Sequence, residues 1–340
     1  MAEVPLRKLG ANGPLVPSLG FGCMGLSSSY GPVGNDEDRF KVLDKAHELG
    51  SRLWDTSDVY GDSEDLLGKW FKHTRKRSDI FLCTKFGVNI KDKVYSMRSD
   101  PEYVRESCEK SLRRLGVDKI DLYYCHRVDL KTPIEKTMEV LVELKNEGKI
   151  GHIGLSEVSA STVRRAHKVH PIAALQLEYS PFSLEIELPD NNLLATCREL
   201  GIAVIAYSPL GRGFLTGQLK SPDDFADGDF RKTAPKYSKK NWGKNMELVD
   251  LLVSIARDKG CAPGQLALAW VLKQGDDILA IPGTKNIKYL EENMGSLKVN
   301  LTDSEAKTIR DQVEKIELHG ERYVGFLEHY SFGETPELEA

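Results

Sequence analysis

The sequence predicts an α/β protein folded as a (β/α)8 TIM barrel, with an N-terminal β-hairpin, extra helices and a C-terminal loop. Short apolar runs alternate with longer segments of helical spacing along the 340 residues, and eight such runs can be counted. This alternation is typical of a parallel sheet covered by helices, and eight repeats close such a sheet into a barrel. No linker rich in Pro, Gly or Ser divides the chain. We therefore expect one domain over residues 1–340, with the hairpin at 5–19, the barrel at about 19–295, and an extra helix and tail at 302–340.

The hairpin is predicted from a turn signal near the N-terminus. Two apolar segments, residues 6–9 and 15–19, flank the dipeptide Asn12-Gly13. Asn-Gly between apolar runs is a strong hairpin signal, because both residues tolerate positive φ angles. The barrel strands then follow over residues 19–23, 53–55, 80–85, 120–126, 153–156, 174–178, 203–207 and 278–282.

Helical segments with recognisable start and stop residues fill the gaps between these strands. They are predicted over residues 36–49, 64–72, 101–115, 133–147, 159–169, 190–200, 243–259, 263–274, 287–294 and 302–317. Asn35 and Ser63 precede the first two as N-caps, and Gly116 is a C-terminal stop. The last helix begins with a capping box formed by Thr302 and Glu305.

Two long segments fit no strand or helix. Residues 217–242 carry a group of acidic side chains followed by a group of basic ones, and loops of this length commonly act as lids. The tail, residues 318–340, either walls a pocket or packs under the barrel, because it is too aromatic for a solvated segment. Its aromatic residues are Tyr323, Phe326, Tyr330 and Phe332.

The composition excludes several classes of protein. Lys and Arg number 47 against 51 Asp and Glu, a net charge of −4, so neither a nucleic acid nor a membrane is an expected partner. No apolar run approaches the ~18 residues of a transmembrane helix, and the first residues lack the apolar core of a signal peptide. Six cysteines without paired spacing indicate reduced thiols, so we expect a cytoplasmic protein. The sequence does not indicate an oligomeric state.

Polar side chains of complementary chemistry occupy the ends of three successive predicted strands. Asp55 ends the second strand and Tyr60 follows it, Lys85 ends the third and His126 ends the fourth. Barrel active sites form at these strand ends, so the four side chains should converge. Lys85, oriented by Asp55, could stabilise the phenolate of Tyr60 and make it a useful acid. His126 could donate a hydrogen bond to an oxygen that gains negative charge. The set suits the reduction of a carbonyl group.

Seven segments of the chain stand in a recognisable order. They are LWDTSDVYG (53–61), TKF (84–86), IDLYYCH (120–126), IGLSE (153–157), LQLEYSP (175–181), YSPLGRG (207–213) and AIPGTKNIKYLEEN (280–293). Together they resemble the motifs of the aldo-keto reductases, and the resemblance runs from about residue 5 to 320. It is closest to the branch that contains perakine reductase and pyridoxal reductase, through GFGCMG (20–25), CHRVD (125–129) and QLALAWVL (265–272).

The resemblance implies a catalytic tetrad of Asp55, Tyr60, Lys85 and His126. It also implies that NADPH or NADP+ binds across the barrel mouth, with no Rossmann fold. The implied cofactor residues are Cys23, Met24, Asp55, Ser156, Gln176, Tyr207, Ser208, Pro209, Leu210, Gly211, Gly213, Arg231, Gly283, Thr284, Lys285, Glu292 and Asn293. Lys285 offers a cation to the 2′-phosphate, which favours NADPH over NADH.

The expected function is reduction of an aldehyde or ketone to the alcohol, with hydride from nicotinamide C4 and a proton from Tyr60. The expected partner is a small carbonyl compound, pyridoxal being one candidate. A regulatory subunit that binds the nicotinamide cofactor without significant turnover is the alternative, since a fold does not determine function. A metal-dependent barrel hydrolase is a weaker rival, and we expect no metal site because the histidines lack ligand spacing.

A dinucleotide fingerprint is also present but is not expected to act as one. Gly20, Gly22 and Gly25 satisfy the G-x-G-x-x-G pattern. A Rossmann fold requires a helix to open at this point, whereas residues 26–34 are rich in Ser, Gly and Pro. The glycines are therefore expected to let a ligand approach the end of the first barrel strand.

Overall fold

A computed structural model describes residues 4–91 and 94–339, and it contains the predicted barrel. The strands are β1 (Leu6–Lys8), β2 (Leu15–Pro17), β3 (Phe21–Gly22), β4 (Leu53–Asp55), β5 (Phe81–Phe86), β6 (Val88–Lys91), β7 (Val94–Met97), β8 (Ile120–Cys125), β9 (Ile150–Ser156), β10 (Ala174–Glu178), β11 (Ala203–Tyr207) and β12 (Ile278–Ala280). Eight of them form one parallel sheet in the order β3, β4, β5, β8, β9, β10, β11, β12.

Backbone hydrogen bonds join the two ends of this sheet. The Gly20 N–H donates to the Ala280 carbonyl at 2.8 Å, and the Ala280 N–H donates to the Ser18 carbonyl at 3.0 Å. Two residues further along each strand, the Gly22 N–H donates to the Pro282 carbonyl at 3.1 Å. The sheet therefore has no free edge, as a closed barrel requires.

The helices surround the barrel. They are α1 (Met24–Ser27), α2 (Asp36–Glu48), α3 (Ser63–Thr74), α4 (Pro101–Leu115), α5 (Ile134–Asn146), α6 (Ala160–Val169), α7 (Leu193–Leu200), α8 (Lys239–Lys259), α9 (Pro263–Lys273), α10 (Ile287–Gly295), α11 (Asp303–Val313) and α12 (Phe326–His329). The predicted capping box is present, because Thr302 accepts from the Glu305 N–H and Glu305 accepts from the Thr302 N–H.

Three local predictions about helix starts are wrong. Helix α8 begins at Lys239, four residues earlier than predicted. Ser63 is the first residue of α3 and not its cap, and its side chain instead accepts a hydrogen bond from the Thr56 hydroxyl at 2.7 Å. Helix α7 begins at Leu193, three residues later than predicted, because Asn192 has a φ of 47° in the left-handed region and cannot belong to the helix. By contrast, Asn35 caps α2 by accepting from the Asp38 N–H at 2.9 Å, as predicted.

The N-terminal hairpin is confirmed, but the positive φ in its connection is at Gly10 and not at Asn12 or Gly13. The structure adds a second hairpin that the sequence analysis missed. Strands β1 and β2 pair antiparallel, with Arg7 opposite Val16. Leu9 and Val16 are buried against the barrel interior, so the hairpin closes the end of the barrel opposite the strand C-termini. Strands β6 and β7 form the second hairpin, directly after β5.

The long loop and the tail both reach the strand C-termini. Residues 217–242 contain 3-10 turns at Pro222–Asp224, Phe230–Thr233 and Pro235–Tyr237 before α8 begins. In the tail, Gly333 pairs with Val158 just past the end of β9. The tail therefore lies over the mouth of the barrel, which decides between the two predicted positions.

Side chains of alternating direction divide the core into two layers. Tyr124 points into the barrel with Leu122, whereas Tyr123 and Cys125 pack against the helices. The Tyr124 ring lies over Gly154 of β9, where an added Cβ would lie 2.4 Å from a ring carbon. The lack of a side chain at Gly154 thus makes room for the Tyr124 ring.

We expect Gly154→Ala to lower the free energy of unfolding by about 1–3 kcal/mol, since the buried Tyr124 ring must shift to accommodate the methyl group. Gly243→Ala is the matched control. Gly243 lies on the exposed side of α8 with no heavy atom within 4 Å of an added Cβ, so this change should stabilise the protein by about 0.5–1 kcal/mol. Urea unfolding of both variants measures the difference, and equal effects of the two changes would contradict the packing argument.

Candidate active site

A large cleft opens at the C-terminal ends of the barrel strands. Its volume is about 1560 Å³, beyond the roughly 300–1,000 Å³ of pockets that hold drug-sized molecules. Strand ends form its floor, residues 228–233 of the long loop form one wall, and residues 323–327 of the tail form another. The cleft therefore has room for an extended ligand together with a smaller one.

Most of the sequence-predicted site residues line this cleft. They are Met24, Asp55, Tyr60, His126, Ser156, Gln176, Tyr207, Ser208, Pro209, Leu210, Gly213, Arg231, Gly283, Thr284, Lys285, Glu292 and Asn293. Three others lie behind the surface. Cys23 is fully buried with its thiol near the Phe21 carbonyl, Gly211 is buried beneath the loop, and Lys85 is fully buried under Tyr60.

The centre of the floor is a buried ion pair between neighbouring strands. Lys85, at the end of β5, donates a hydrogen bond from Nζ to Asp55 Oδ1 and a second to the Thr56 carbonyl at 2.7 Å. Gln176 Nε2 donates to Asp55 Oδ2 at 2.8 Å from the opposite side of the barrel. Both carboxylate oxygens and two of the three ammonium protons are thereby satisfied, which a buried pair needs in order to persist.

Tyr60 lies directly above this ion pair. The Lys85 Nζ atom is 5.1 Å from the centre of the Tyr60 ring. Burial raises the pKa of Tyr60, and the charge of Lys85 acts against that rise. Burial acts to lower the pKa of Lys85, but Asp55 and Tyr60 outweigh it, so the pKa of Lys85 lies above its ordinary value. The lysine is therefore a permanent cation beneath the phenol.

His126 faces Tyr60 and is held in its neutral form. The two rings meet edge to face, with centroids 5.8 Å apart. Burial, with help from the charges of Lys85 and Arg127, places the pKa of His126 well below its ordinary value. The Ser57 hydroxyl lies 3.2 Å from His126 Nδ1 and also 3.2 Å from Asp58 Oδ1. Ser57 is thus the protein group that engages the inner nitrogen of the imidazole.

A second buried cluster of charges attaches the tail to the strand ends. Arg322 donates two hydrogen bonds to Glu157, from Nη1 at 3.0 Å and from Nη2 at 2.9 Å. Arg212 donates to Glu178 Oε2 at 3.1 Å, and Arg322 lies 3.6 Å from the same oxygen. Burial acts to raise the pKa of Glu157, but Arg322 and Arg127 outweigh it and hold that pKa at about 2.

Tyr207 is oriented by the same cluster. Its hydroxyl donates to Glu157 Oε1 at 3.0 Å and lies 2.9 Å from the hydroxyl of Tyr323 in the tail. The ring therefore has a fixed position in the cleft before any ligand binds. Both carboxylate oxygens of Glu157 are therefore engaged within this cluster.

The loop after β11 adopts an unusual backbone conformation. Ser208 has a φ of 49° and Arg212 a φ of 54°, in the left-handed region that non-glycine residues rarely occupy. Each such residue costs on the order of 1 kcal/mol, and they concentrate where backbone must face a ligand. Arg231 covers this loop, donating to the Arg212 carbonyl at 2.8 Å while Asp229 holds its other nitrogens.

The far end of the floor is the junction that closes the barrel. A Cβ on Gly283 would lie 2.6 Å from the Gly22 carbonyl oxygen, and a Cβ on Gly22 would lie 2.8 Å from the Ile281 carbonyl oxygen. These glycines therefore allow two backbones to meet. Lys285 projects beside them and donates to the carbonyls of Tyr30 at 2.7 Å and Pro32 at 3.2 Å.

Comparison with known proteins identifies the family. The model of the aldo/keto reductase family matches residues 18–314. Over 324 residues the chain is 54% identical to the aldo-keto reductase str7 of Strobilurus tenacellus, with 94% of this chain and 95% of that protein covered. Over 340 residues it is 51% identical to the aldo-keto reductase yakc, NADP(+), of Schizosaccharomyces pombe, with 99% of each covered.

A solved structure agrees with this assignment. The glycerol dehydrogenase AKR11B4 from Gluconobacter oxydans matches with a TM-score of 0.82 at 29% identity, covering 94% of this chain and 98% of that chain. The chain belongs to the aldo/keto reductase family. It is an oxidoreductase of that family, so the predicted fold and enzyme class are confirmed.

Several residues of the site were not assigned from the sequence. Arg322 received no role, and Tyr323 was named only among the aromatic residues of the tail. Ser57 and Arg127 were noted only as parts of the motifs LWDTSDVYG and CHRVD. Arg322 lies 165 residues from Glu157 along the chain, and no local pattern indicates such a pairing.

Among the described residues, no helix combines the length and apolar character needed to cross a membrane. In the same part of the chain, no three His, Cys, Asp or Glu side chains are grouped as metal ligands.

The depressed pKa of Glu157 predicts a specific loss of stability in acid. A carboxylate with a folded pKa of about 2 and an unfolded pKa near 4.3 stabilises the protein above pH ~4.3, and this stabilisation is lost as the pH falls towards 2. The difference in unfolding free energy between wild type and Glu157→Gln should therefore shrink by about 2 kcal/mol between pH 5 and pH 3. Urea unfolding at both pH values measures it.

Glu199→Gln is the control for this measurement, because Glu199 pairs with Arg164 on the exposed surface. Its effect should change little over the same range. A Glu157→Gln difference that stays constant from pH 5 to pH 3 would contradict the assignment of a strongly depressed pKa.

Proposed function

We propose that the protein reduces an aldehyde or ketone to the alcohol with NADPH, with Tyr60 as the proton donor. The observation that carries this proposal is the buried arrangement of Asp55, Lys85, Tyr60 and His126 at the centre of the cleft. A phenol above a permanent cation and an imidazole facing it form an acid beside a hydrogen-bond donor. Membership in an oxidoreductase family supports the reaction type.

The cleft fits an extended dinucleotide. NADPH supplies, when bound, a hydride from C4 of its nicotinamide. The name of the fission yeast relative includes NADP(+), which supports this cofactor. We place the carboxamide at Ser156 and Gln176, the ring against Tyr207, and the pyrophosphate along the loop from Ser208 to Gly213. The remaining implied residues that line the cleft, Met24, Arg231, Gly283, Thr284, Lys285, Glu292 and Asn293, would hold the rest of the nucleotide.

Proton transfer depends on the charge beneath Tyr60. The carbonyl oxygen accepts the Tyr60 proton while the carbonyl carbon gains hydride, so negative charge passes to the phenol oxygen. Lys85 stabilises that charge from below, because opposite charges within a few ångströms favour the ionised form. Asp55 keeps Lys85 in place and charged.

His126 is suited to orient the carbonyl oxygen. A neutral imidazole donates from one nitrogen only. When the Ser57 hydroxyl donates to Nδ1, the remaining proton is on Nε2 and can be donated to the substrate oxygen. That arrangement is favoured when Asp58 is protonated, and burial raises the pKa of Asp58 to about 7. Ser57 would thus act as a positioning residue for His126.

Within the family, we place the chain in the branch of perakine and pyridoxal reductases. The support is the set of motifs GFGCMG, CHRVD and QLALAWVL.

An exchange of Tyr60 for Phe separates catalysis from mere cofactor binding. Tyr60→Phe removes the proton and leaves the ring, so we expect kcat to fall by roughly 100- to 10,000-fold. Tyr330→Phe, in the tail outside the cleft, is the matched control.

The measurement is loss of absorbance at 340 nm with NADPH and a panel of aldehydes that includes pyridoxal. Cofactor affinity, followed by quenching of protein fluorescence, should change by less than about threefold in Tyr60→Phe. Wild-type turnover by the Tyr60→Phe variant would overturn the mechanism. Tight NADPH binding by the wild type without turnover of any aldehyde would instead indicate a regulatory subunit.

Lys285 should set the preference for NADPH over NADH. Two of its three ammonium protons are used by the Tyr30 and Pro32 carbonyls, so one remains for the 2′-phosphate. We expect Lys285→Met to raise the KM for NADPH roughly tenfold or more and to leave the KM for NADH nearly unchanged. Lys288→Met, an exposed lysine on α10 outside the cleft, should alter neither value. An equal rise for both cofactors would contradict the role.

A further inference from the structure

An arginine beside the proposed catalytic groups has no carboxylate partner among the residues that the structure describes. Arg127 follows His126 at the end of β8, lines the cleft and is only 5% exposed. Both hydrogen bonds that it makes to described residues come from Nη1, to the His126 carbonyl at 2.8 Å and the Ser156 hydroxyl at 3.3 Å. Its Nε atom is buried without a partner. Most of its hydrogen-bonding capacity is therefore unused.

The other buried arginines of the mouth are paired. Arg322 takes both oxygens of Glu157, and Arg212 takes Glu178. The remaining contacts of Glu157 Oε1 come from the Tyr207 hydroxyl and the Glu178 N–H. Three buried guanidinium groups thus face two carboxylates, and Arg127 is the one without an ion pair in the described part of the chain. A buried charge without a partner is strongly unfavourable in the absence of a ligand.

The guanidinium is charged and lies close to the reacting groups. Burial acts to lower the pKa of Arg127, but Tyr207 and Glu157 outweigh it and the net direction is upward. Its charge in turn lowers the pKa values of Tyr60 and His126, although burial is the larger influence on both. Because Arg127 lines the same cleft as Tyr60 and His126, an anion bound to it would lie in the same part of the molecule as the proposed reacting groups.

The neighbouring walls of the cleft are apolar. Val59, Val88 and Tyr95 line it from the strand ends and the β6–β7 hairpin, and Val324, Phe326 and Leu327 line it from the tail. Tyr95 and Phe326 approach each other, with ring centroids 6.5 Å apart. A hydrophobic group on the substrate would pack against this apolar wall.

We propose that Arg127 is a substrate-binding residue and that the preferred substrates are 2-oxo acids with a hydrophobic, preferably aromatic, side chain. This inference rests on the proposed carbonyl reduction. The carboxylate binds the free side of the guanidinium, which presents planar donors suited to two carboxylate oxygens. The adjacent keto carbon gains a hydride with its electron pair, and the keto oxygen gains the Tyr60 proton. The product is a 2-hydroxy acid, and the dihydronicotinamide is oxidised to the nicotinamide cation.

A matched pair of substrates tests the carboxylate directly. Phenylglyoxylate and its methyl ester share the aryl ketone, and only the first carries the anion. With Arg127→Met, we expect kcat/KM for the acid to fall on the order of 10- to 100-fold, whereas the value for the ester changes by less than about threefold. Arg127→Lys keeps the charge without the planar donors, so it should retain part of the selectivity for the acid.

The affinity for NADPH is measured on the same variants. An equal fall for acid and ester would overturn the proposal, as would a loss confined to NADPH binding, which would assign Arg127 to the carboxamide. If Arg127→Met fails to fold, the acid-to-ester ratio in Arg127→Lys decides, and an unchanged ratio counts against the proposal. Reduction of the ester by the wild type, without any preference for the acid, would refute this inference and leave the proposed carbonyl reduction intact.

Discussion

The ion pair between Asp55 and Lys85 is the interaction on which the site depends. An ammonium group taken wholly out of water is tolerated only where its charge and its protons are matched. Asp55, the Thr56 carbonyl and, through Asp55, Gln176 provide that match. Because Gln176 lies on β10, four strands round the barrel from β4, the interaction spans the barrel interior. The position of Tyr60 above the lysine follows from this arrangement.

The parts of the molecule that repeat a local pattern could be read from the sequence. Apolar runs marked the barrel strands, and the polar residues that end them marked the floor of the cleft. The β6–β7 hairpin escaped detection because successive side chains such as Val94 and Tyr95 are both exposed, so strand β7 shows no alternation of apolar and polar residues. Ser63 was predicted as a helix cap because serine is common at N-cap positions. Its hydroxyl instead accepts a hydrogen bond from the Thr56 hydroxyl, a contact that arises only in the folded protein.

Pairings between distant segments could not be predicted either, and the physical reason is a different one. The partner of Arg322 is decided by where the tail crosses the mouth, and that path depends on the packing of Gly333 beside Val158. The same limit applies to Arg127. Only the folded structure shows that this arginine has no carboxylate partner among the described residues. The proposed catalytic residues thus lie at or near the strand ends, while the walls of the cleft come from the β6–β7 hairpin, the long loop and the tail.

The junction of Gly22 with Gly283 links the folding of the chain to its capacity to bind. The two residues are about 260 positions apart in sequence, and contacts of such separation form only after a large loss of chain entropy. The floor beneath the expected nucleotide does not exist until the first and last barrel strands have met. A ligand lying across this seam would hold the barrel shut, and would slow unfolding by opposing the step that separates its two ends. Cofactor supply in the cell would then govern how long each molecule persists as well as how fast it works.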